Sequence, residues 1–199
     1  YPKDKYRSHS GLGTNVARVA AAARDMIFTC GTRRAGRALV EQGHEVYHYQ
    51  WNHEFTGWRN VSSCDNLLFL CGNYHASELT YVWQKHLNSL NKNDRDMTAV
   101  IGTYWTNFAK NGDPNIGMSP ADITGNEFLN NSRLTRGVAV IVQDMLFCAG
   151  DPNTTAAYWA PFNHSVQSYM SLQVPGLGLG TDLWHDECDM YDKFEGFPS

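Results

Sequence analysis

The sequence contains no apolar run approaching the roughly 18 residues that a membrane-spanning helix needs, so no membrane span is expected. It also lacks any block of like charge, and charged residues make up only 18% of its 199 residues, with a formal net charge of −4. Nucleic acids and anionic membranes bind clustered basic residues, so neither is an expected partner. The 42% hydrophobic content is typical of one globular domain with its own core.

An initiator methionine is absent as well, because the sequence starts at Tyr1, and no basic or apolar signal segment follows. We therefore expect a processed chain or a piece of a longer one. The sequence has five cysteines, and N-x-[ST] sequons predict glycosylation at Asn60, Asn130, Asn153 and Asn163. Together these features favour a secreted or extracellular protein with disulfide bonds.

Hydrophobic periodicity predicts both helices and strands in this chain. Residues 14–30 and 32–42 have a helical pattern, with Gly31 expected to interrupt it and Gly43 to end it. The spacing of apolar residues over 94–111 predicts a helix that Asp94 can cap. The remaining predictions are strands at residues 45–51 and 167–174, a flexible loop at 175–181 and a short helix at 182–194.

His75 lies between a turn-prone segment and an amphipathic one, in the sequence CGNYHASELTYVW. A histidine at a junction of this kind can be held by rigid structure while its ring stays accessible, as a general base requires. A packed core histidine is the alternative interpretation of the same position.

This stretch resembles the region of the catalytic histidine in cholinesterase-type (type B) carboxylesterases, G-x-x-H-[GA]-x-E-[LI]-x-[YF]-V-[FW]. The match includes Gly72, His75, Glu78, Tyr81 and Trp83. Further stretches resemble the family in the same order. They are YPKDKY, DMIFTCGTRRAGRAL, the strand and histidine of VYHYQWNH, TYWTNFAKNGDPN, and CDMYD near the end.

The resemblance implies the C-terminal part of an α/β-hydrolase fold, the last strands of a sheet with their helices, incomplete without upstream residues. The domain would cover residues 1–199, with an atypical insertion at about 116–157 that separates GDPN from a Tyr-Trp-Ala-Pro-Phe segment. By the same resemblance, His75 would be the base of a catalytic triad in a secreted carboxylic-ester hydrolase.

The triad's nucleophile has no candidate here, because no serine is flanked by glycines in a G-x-S-x-G motif. In this fold the order is nucleophile, acid, histidine, so serine and acid are expected upstream, outside this chain. Glu78 follows His75 too closely to meet the same ring, and we predict that it braces the histidine loop instead. The chain alone should be inactive, and its partners would be the upstream portion and a small ester substrate.

The resemblance pairs Cys30 with Cys188, and the short separation of Cys64 and Cys71 predicts a clamp before His75. Cys148 is left over. A metal site at Cys64, Cys71 and His75 would need a fourth ligand and a tighter cysteine spacing, so neither metal nor cofactor is expected.

The rival hypothesis is a non-catalytic cholinesterase-like module for adhesion or structural assembly, since one fold serves several functions. A homo-oligomer formed through the C-terminal helix is possible under either hypothesis.

Overall fold

The computed structural model describes residues 1–5, 14–54, 73, 75–83, 91–119, 156–182 and 185–197. The chain divides into two compact units. The first unit contains Tyr1–His48, Ala160–Tyr169 and Gly180–Ser199, and the second contains Tyr49–Trp159 and Met170–Leu179. Among the described residues, no helix is long and apolar enough to cross a membrane.

The first unit opens with helix α1 (Thr14–Arg24), which continues through a π-helical segment, Asp25–Thr29, into helix α2 (Cys30–Glu41). The predicted interruption at Gly31 is wrong, because α2 runs through that residue. A glycine inside a helix costs about 1 kcal/mol relative to alanine but keeps its backbone N–H, so the hydrogen-bond ladder can continue. The irregularity lies instead in the π-helical segment.

The predicted end of this helix at Gly43 is confirmed. Gly43 has a φ of +83°, a left-handed conformation that glycine adopts without steric cost. Its N–H donates to the Val40 carbonyl at 2.9 Å, and the His44 N–H donates to the Leu39 carbonyl at 3.0 Å. These two bonds form a Schellman motif, which satisfies carbonyl groups that the end of the helix would leave unpaired.

Helix α5 (His185–Glu195), near the end of the sequence, packs with α2 in the same unit. The Cys30–Cys188 disulfide joins the two helices, which confirms the pairing implied by the family resemblance. Asp192 of α5 is fully buried, and its carboxylate accepts from Arg34 at 2.8 Å. Arg33 of α2 is also buried and donates to Asp189 at 2.8 Å.

Three short strands form one sheet in the order β1-β2-β3, and most of their residues lie in the second unit. Strands β1 (His48–Trp51) and β2 (Tyr169–Leu172) fall within the predicted segments. Strand β1 begins later than predicted, and β2 is shorter than predicted at both ends. Strand β3 (Gly178–Gly180) corrects the prediction of a flexible loop over 175–181. Alternating glycines conceal a strand because they leave no side-chain pattern to read.

The second unit also contains the short helix α3 (Leu79–Val82) and the long helix α4 (Lys92–Asn111), which pack against each other. Helix α4 begins two residues before the predicted start. Asn91 is its N-cap, and Asp94 completes a capping box from the third helical position, so the assignment of Asp94 as N-cap is wrong. The sequence predicts a core stripe on this helix at Met97, Ile101, Trp105 and Phe108. The prediction is confirmed at Met97 and Ile101, which are fully buried, but it is wrong at Phe108, which is 48% exposed, and Trp105 is half-buried.

Most of the 116–157 insertion lies outside the described residues. Its first residues follow Gly112, which ends α4 in a left-handed conformation. The Asn115 side chain donates to the Trp159 carbonyl at 3.0 Å and accepts from the Trp159 N–H at 2.7 Å. This pair of bonds holds the two ends of the insertion together, because Asn115 precedes it and Trp159 follows it.

Candidate active site

His75 lies on an exposed turn directly before α3. The next residue, Ala76, has a φ of +68°, and its carbonyl accepts from the Leu79 N–H at 3.2 Å. A left-handed conformation costs a residue with a Cβ roughly 1–2 kcal/mol, which favours glycine or a small residue there. The structure thus gives a physical reason for the glycine-or-alanine position that follows the histidine in the sequence pattern.

The segment that carries His75 is attached to its surroundings on both sides of the histidine. On the N-terminal side, the Asn73 side chain donates to the Trp51 carbonyl at 3.1 Å, where β1 ends. On the C-terminal side, the hydroxyl of the buried Tyr81 donates to Asp94 Oδ1 at 2.9 Å. The exposed turn that carries His75 therefore lies between two attached positions of the chain.

Asp94 is the centre of a buried hydrogen-bond network. Its Oδ1 also meets His53 Nε2 at 2.9 Å, and the Val174 N–H donates to His53 Nδ1 at 3.2 Å. A backbone N–H can only donate, so Nδ1 accepts and the proton of the neutral ring is on Nε2. His53 therefore donates to Asp94.

The electrostatics of Asp94 follow from these contacts. Burial raises the pKa of Asp94, but the hydrogen bonds from His53 and Tyr81 outweigh burial and hold the pKa below its ordinary value. The carboxylate is therefore ionised at neutral pH, and it accepts hydrogen bonds from two side chains that belong to different parts of the chain.

Aromatic rings pack around the same network. The centroid of Tyr81 lies 4.9 Å from that of Trp51 and 5.2 Å from that of His53. All three side chains are buried. Tilted and edge-on contacts at these separations are favourable, and they fix the plane of the His53 ring in addition to its hydrogen bonds.

Residues 3–190 match the model of the carboxylesterase family. The chain belongs to this family. Stretches of it are 32% identical to the bile salt-activated lipase of Rattus norvegicus, over 51% of this chain and 16% of the lipase. Other stretches are 28% identical to acetylcholinesterase 1 of Caenorhabditis elegans, over 46% of this chain and 14% of that protein. A 28% identity is also found with the medium-chain fatty acyl-CoA hydrolase precursor of Anas platyrhynchos, over 55% of this chain and 20% of the precursor. The chain spans a fifth or less of the length of these relatives.

Membership of the carboxylesterase family implies an α/β-hydrolase fold, and the small sheet and its helices are consistent with that fold. The resemblance derived from the sequence motifs is thereby confirmed. The assignment of His75 as the triad base stays a prediction, now with the geometry of its turn described.

Glu78 is half-buried at the start of α3, where its carbonyl accepts from the Tyr81 and Val82 N–H groups at 2.9 and 3.0 Å. Burial raises the pKa of Tyr49, and the negative charge of Glu78 raises it further. The Glu78 carboxylate therefore disfavours ionisation of the Tyr49 hydroxyl on β1. Its role in supporting the histidine loop stays a prediction.

Several predicted sites lie outside the described residues. They are the clamp cysteines Cys64 and Cys71, the leftover Cys148, and the sequons at Asn60, Asn130 and Asn153. Asn163 is described and exposed, and its Oδ1 accepts from Ser165 Oγ at 3.0 Å and from the Val166 N–H at 2.7 Å. Within the described ranges, no group of histidine, cysteine and acidic residues could hold a metal ion.

The sequence motifs missed the network around Asp94. His53 matched a family motif at the end of β1, but its partners lie 41 and 121 positions away in the sequence. Asp94 was interpreted only as a helix cap. The available signal was weak: an acidic residue in the first turn of a helix usually serves the cap, and nothing local marks it as an acceptor for distant groups.

Proposed function

We propose that this chain is the C-terminal portion of a secreted serine carboxylesterase and that His75 is its general base. The observation that carries the proposal is the exposed His75 turn, anchored on both sides, in a carboxylesterase-family chain. His75 accepts the proton of a serine hydroxyl as the oxygen attacks the ester carbonyl. It then gives that proton to the leaving alcohol, and water repeats the cycle on the acyl-enzyme.

The serine and the acid of the triad come from upstream residues in this proposal. The family's chain order and the small share of the relatives that the chain covers support this placement. The upstream portion is thus a partner of the chain, and the substrate is a small carboxylic ester.

Secretion is supported by the Cys30–Cys188 disulfide, because such bonds persist in oxidising compartments. The four sequons are proposed glycosylation sites, Asn163 being the exposed one that the structure describes. Cys64 and Cys71 are proposed to form the clamp before His75. On α5, Met190 and Phe194 are exposed one turn apart, and this apolar pair supports a homo-oligomer formed through the helix.

Replacing His75 with alanine in the complete enzyme tests the catalytic role. We expect kcat for a p-nitrophenyl ester to fall roughly 10⁴–10⁶-fold, as when one member of a catalytic triad is removed. The melting temperature should stay within the range of surface substitutions, because the side chain is exposed and leaves no cavity. Steady-state kinetics and thermal denaturation of the same preparation give both values.

His44 provides the matched control, since it is also exposed but directly follows the turn that ends α2 in the first unit. His44→Ala should retain wild-type kcat. A His75→Ala enzyme with normal turnover would contradict the proposal, and a large loss of stability with normal turnover would identify His75 as a structural residue.

A further inference from the structure

We infer that His53 is a positioning residue for the reaction: through Asp94 and Tyr81 it fixes the segment that carries His75, without touching substrate. This inference rests on the proposed role of His75 as general base. It assigns a role in turnover to a buried network that the triad itself does not include.

The first support is that one short stretch, residues 51–53, holds both sides of the His75 segment. Its Trp51 carbonyl accepts from Asn73, two residues before His75. Its His53 ring donates to Asp94, and Asp94 also accepts from Tyr81, six residues after His75. A shift of this stretch would move both attachment points, and the exposed turn between them would move with them.

The second support is that the stretch is itself fixed to β2. The Asn52 N–H donates to the Leu172 carbonyl at 3.0 Å, and the Asn52 side chain donates to Ser171 Oγ at 2.9 Å. The Val174 N–H then donates to His53 Nδ1. The chain of contacts therefore runs from the sheet through His53 and Asp94 to Tyr81, and each link joins groups of the second unit.

The third support is the chemistry that the position demands. The side chain must accept from Val174 on one side and donate to an ionised, fully buried carboxylate on the other. Neutral histidine does both with one rigid ring. Only 4% of His53 is exposed, so the ring is not available to a substrate, and its effect must pass through other residues.

The size of the effect follows from the need for aligned reacting groups. A displacement of about 1 Å in a catalytic group can lower the rate by roughly 10²-fold even when the mutated residue is distant from the chemistry. Removing one hydrogen bond of the network should therefore lower the rate by part of that factor. It should act on kcat more than on KM, because the proton transfer depends on the His75 position and initial binding does not.

The experiment uses His53→Leu, Tyr81→Phe and the conservative His53→Gln in the complete enzyme. The kcat is expressed per folded site, with the folded fraction measured by circular dichroism, because labelling by a fluorophosphonate would itself depend on His75. We expect kcat to fall about 10–100-fold in His53→Leu and about 3–10-fold in Tyr81→Phe, with KM changed less than about twofold. His53→Gln keeps an N–H toward Asp94 and should recover most of the loss.

Tyr104→Phe is the matched control. It removes another buried tyrosine hydroxyl of the same unit, which donates to the Ala157 carbonyl at 2.5 Å. Among the described residues, no hydrogen bond joins this hydroxyl to the Asp94 network. Its kcat per site should equal that of the wild type. If His53→Leu does not fold, Tyr81→Phe still decides, because it keeps the ring and removes one oxygen.

A double-mutant comparison with His75→Ala separates the two ideas. If His53 acts through His75, Tyr81→Phe and His53→Gln should not lower the residual turnover of His75→Ala any further. Wild-type kcat per site in Tyr81→Phe and His53→Leu, whatever their stability, would overturn the positioning role and leave the function of His75 intact. Normal turnover in His75→Ala would instead overturn the proposed function itself.

Discussion

Gly36 shows how much a single residue decides in this protein. It lies buried on α2, where an added Cβ would stand 2.4 Å from Nε2 of His48. The His48 ring is not free to move aside, since its centroid packs 4.3 Å from that of Phe162. Burial also lowers the pKa of His48 to about 4, so the ring is neutral at pH 7.

Gly36→Ala should therefore lower the free energy of unfolding by about 1–3 kcal/mol, the usual cost of overpacking a core. This is the opposite of the gain of up to about 1 kcal/mol that alanine brings to an ordinary helix position. The matched control is Gly31→Ala in the same helix, where a Cβ meets nothing within 4 Å and a gain is expected. Urea unfolding of both variants measures the change in the free energy of unfolding. A Gly36→Ala protein more stable than the wild type would contradict the close approach of position 36 to His48.

The residues that sequence reasoning placed well are those with a local signal. Gly43 ends a periodic helix and has the left-handed conformation expected of it. His53 and Asp94 were not predicted as partners, because a buried hydrogen bond between distant segments leaves no periodicity. The same limit applied to His48, whose neighbour Gly36 is visible only when α2 and β1 are placed together.

At the scale of elements, long amphipathic helices were predicted better than strands. The apolar stripe of α4 was readable over several turns, whereas β3 is three residues long and two of them are glycines. The π-helical segment at Asp25–Thr29 was also missed. There the buried Asp25 accepts from the Tyr1 hydroxyl at 2.9 Å and from Arg24 Nε at 2.7 Å, contacts that no helical pattern predicts.

The link between α2 and α5 contains a carboxylate whose loss should be costly. Asp192 is fully buried and faces three arginines of α2, at 2.8 Å from Arg34 and 3.8 Å from both Arg33 and Arg37. Asp192→Asn keeps the shape but removes the charge that these cations need. We expect the free energy of unfolding to fall by about 3–5 kcal/mol, as when one partner of a buried ion pair is lost.

Glu195→Gln is the control for this prediction. Glu195 lies 3.1 Å from Arg34, but about a third of its side chain is exposed, so its loss should cost only about 0–1 kcal/mol. Chemical denaturation with the Cys30–Cys188 disulfide intact compares the two variants. Equal effects would mean that burial of Asp192 does not set the strength of this link.

At the scale of the whole molecule, the exposed apolar residues of the first unit bear on the proposed upstream partner. Val16, Val19, Met26 and Ile27 are 50%, 70%, 51% and 59% exposed in the part of the chain that the structure describes. These residues recur at helical spacing in the sequence, and an exposed apolar surface of this kind normally meets a partner surface. The catalytic serine and the acid are proposed to come from the same upstream portion.

The chain of residues 1–199 made alone should therefore hydrolyse no p-nitrophenyl ester above buffer and should not label with a fluorophosphonate, because it has no G-x-S-x-G serine. It should also self-associate in analytical ultracentrifugation, through the exposed face of α1 and the adjoining π-helical segment. Replacing Val19 and Ile27 with serine should reduce that association without creating any labelling. Co-expression with the upstream portion should restore labelling on an upstream serine, and turnover should then depend on His75. Labelling of a serine within residues 1–199 would contradict the shared active site, whereas a monomeric, cooperatively melting chain would show that this face needs no cover.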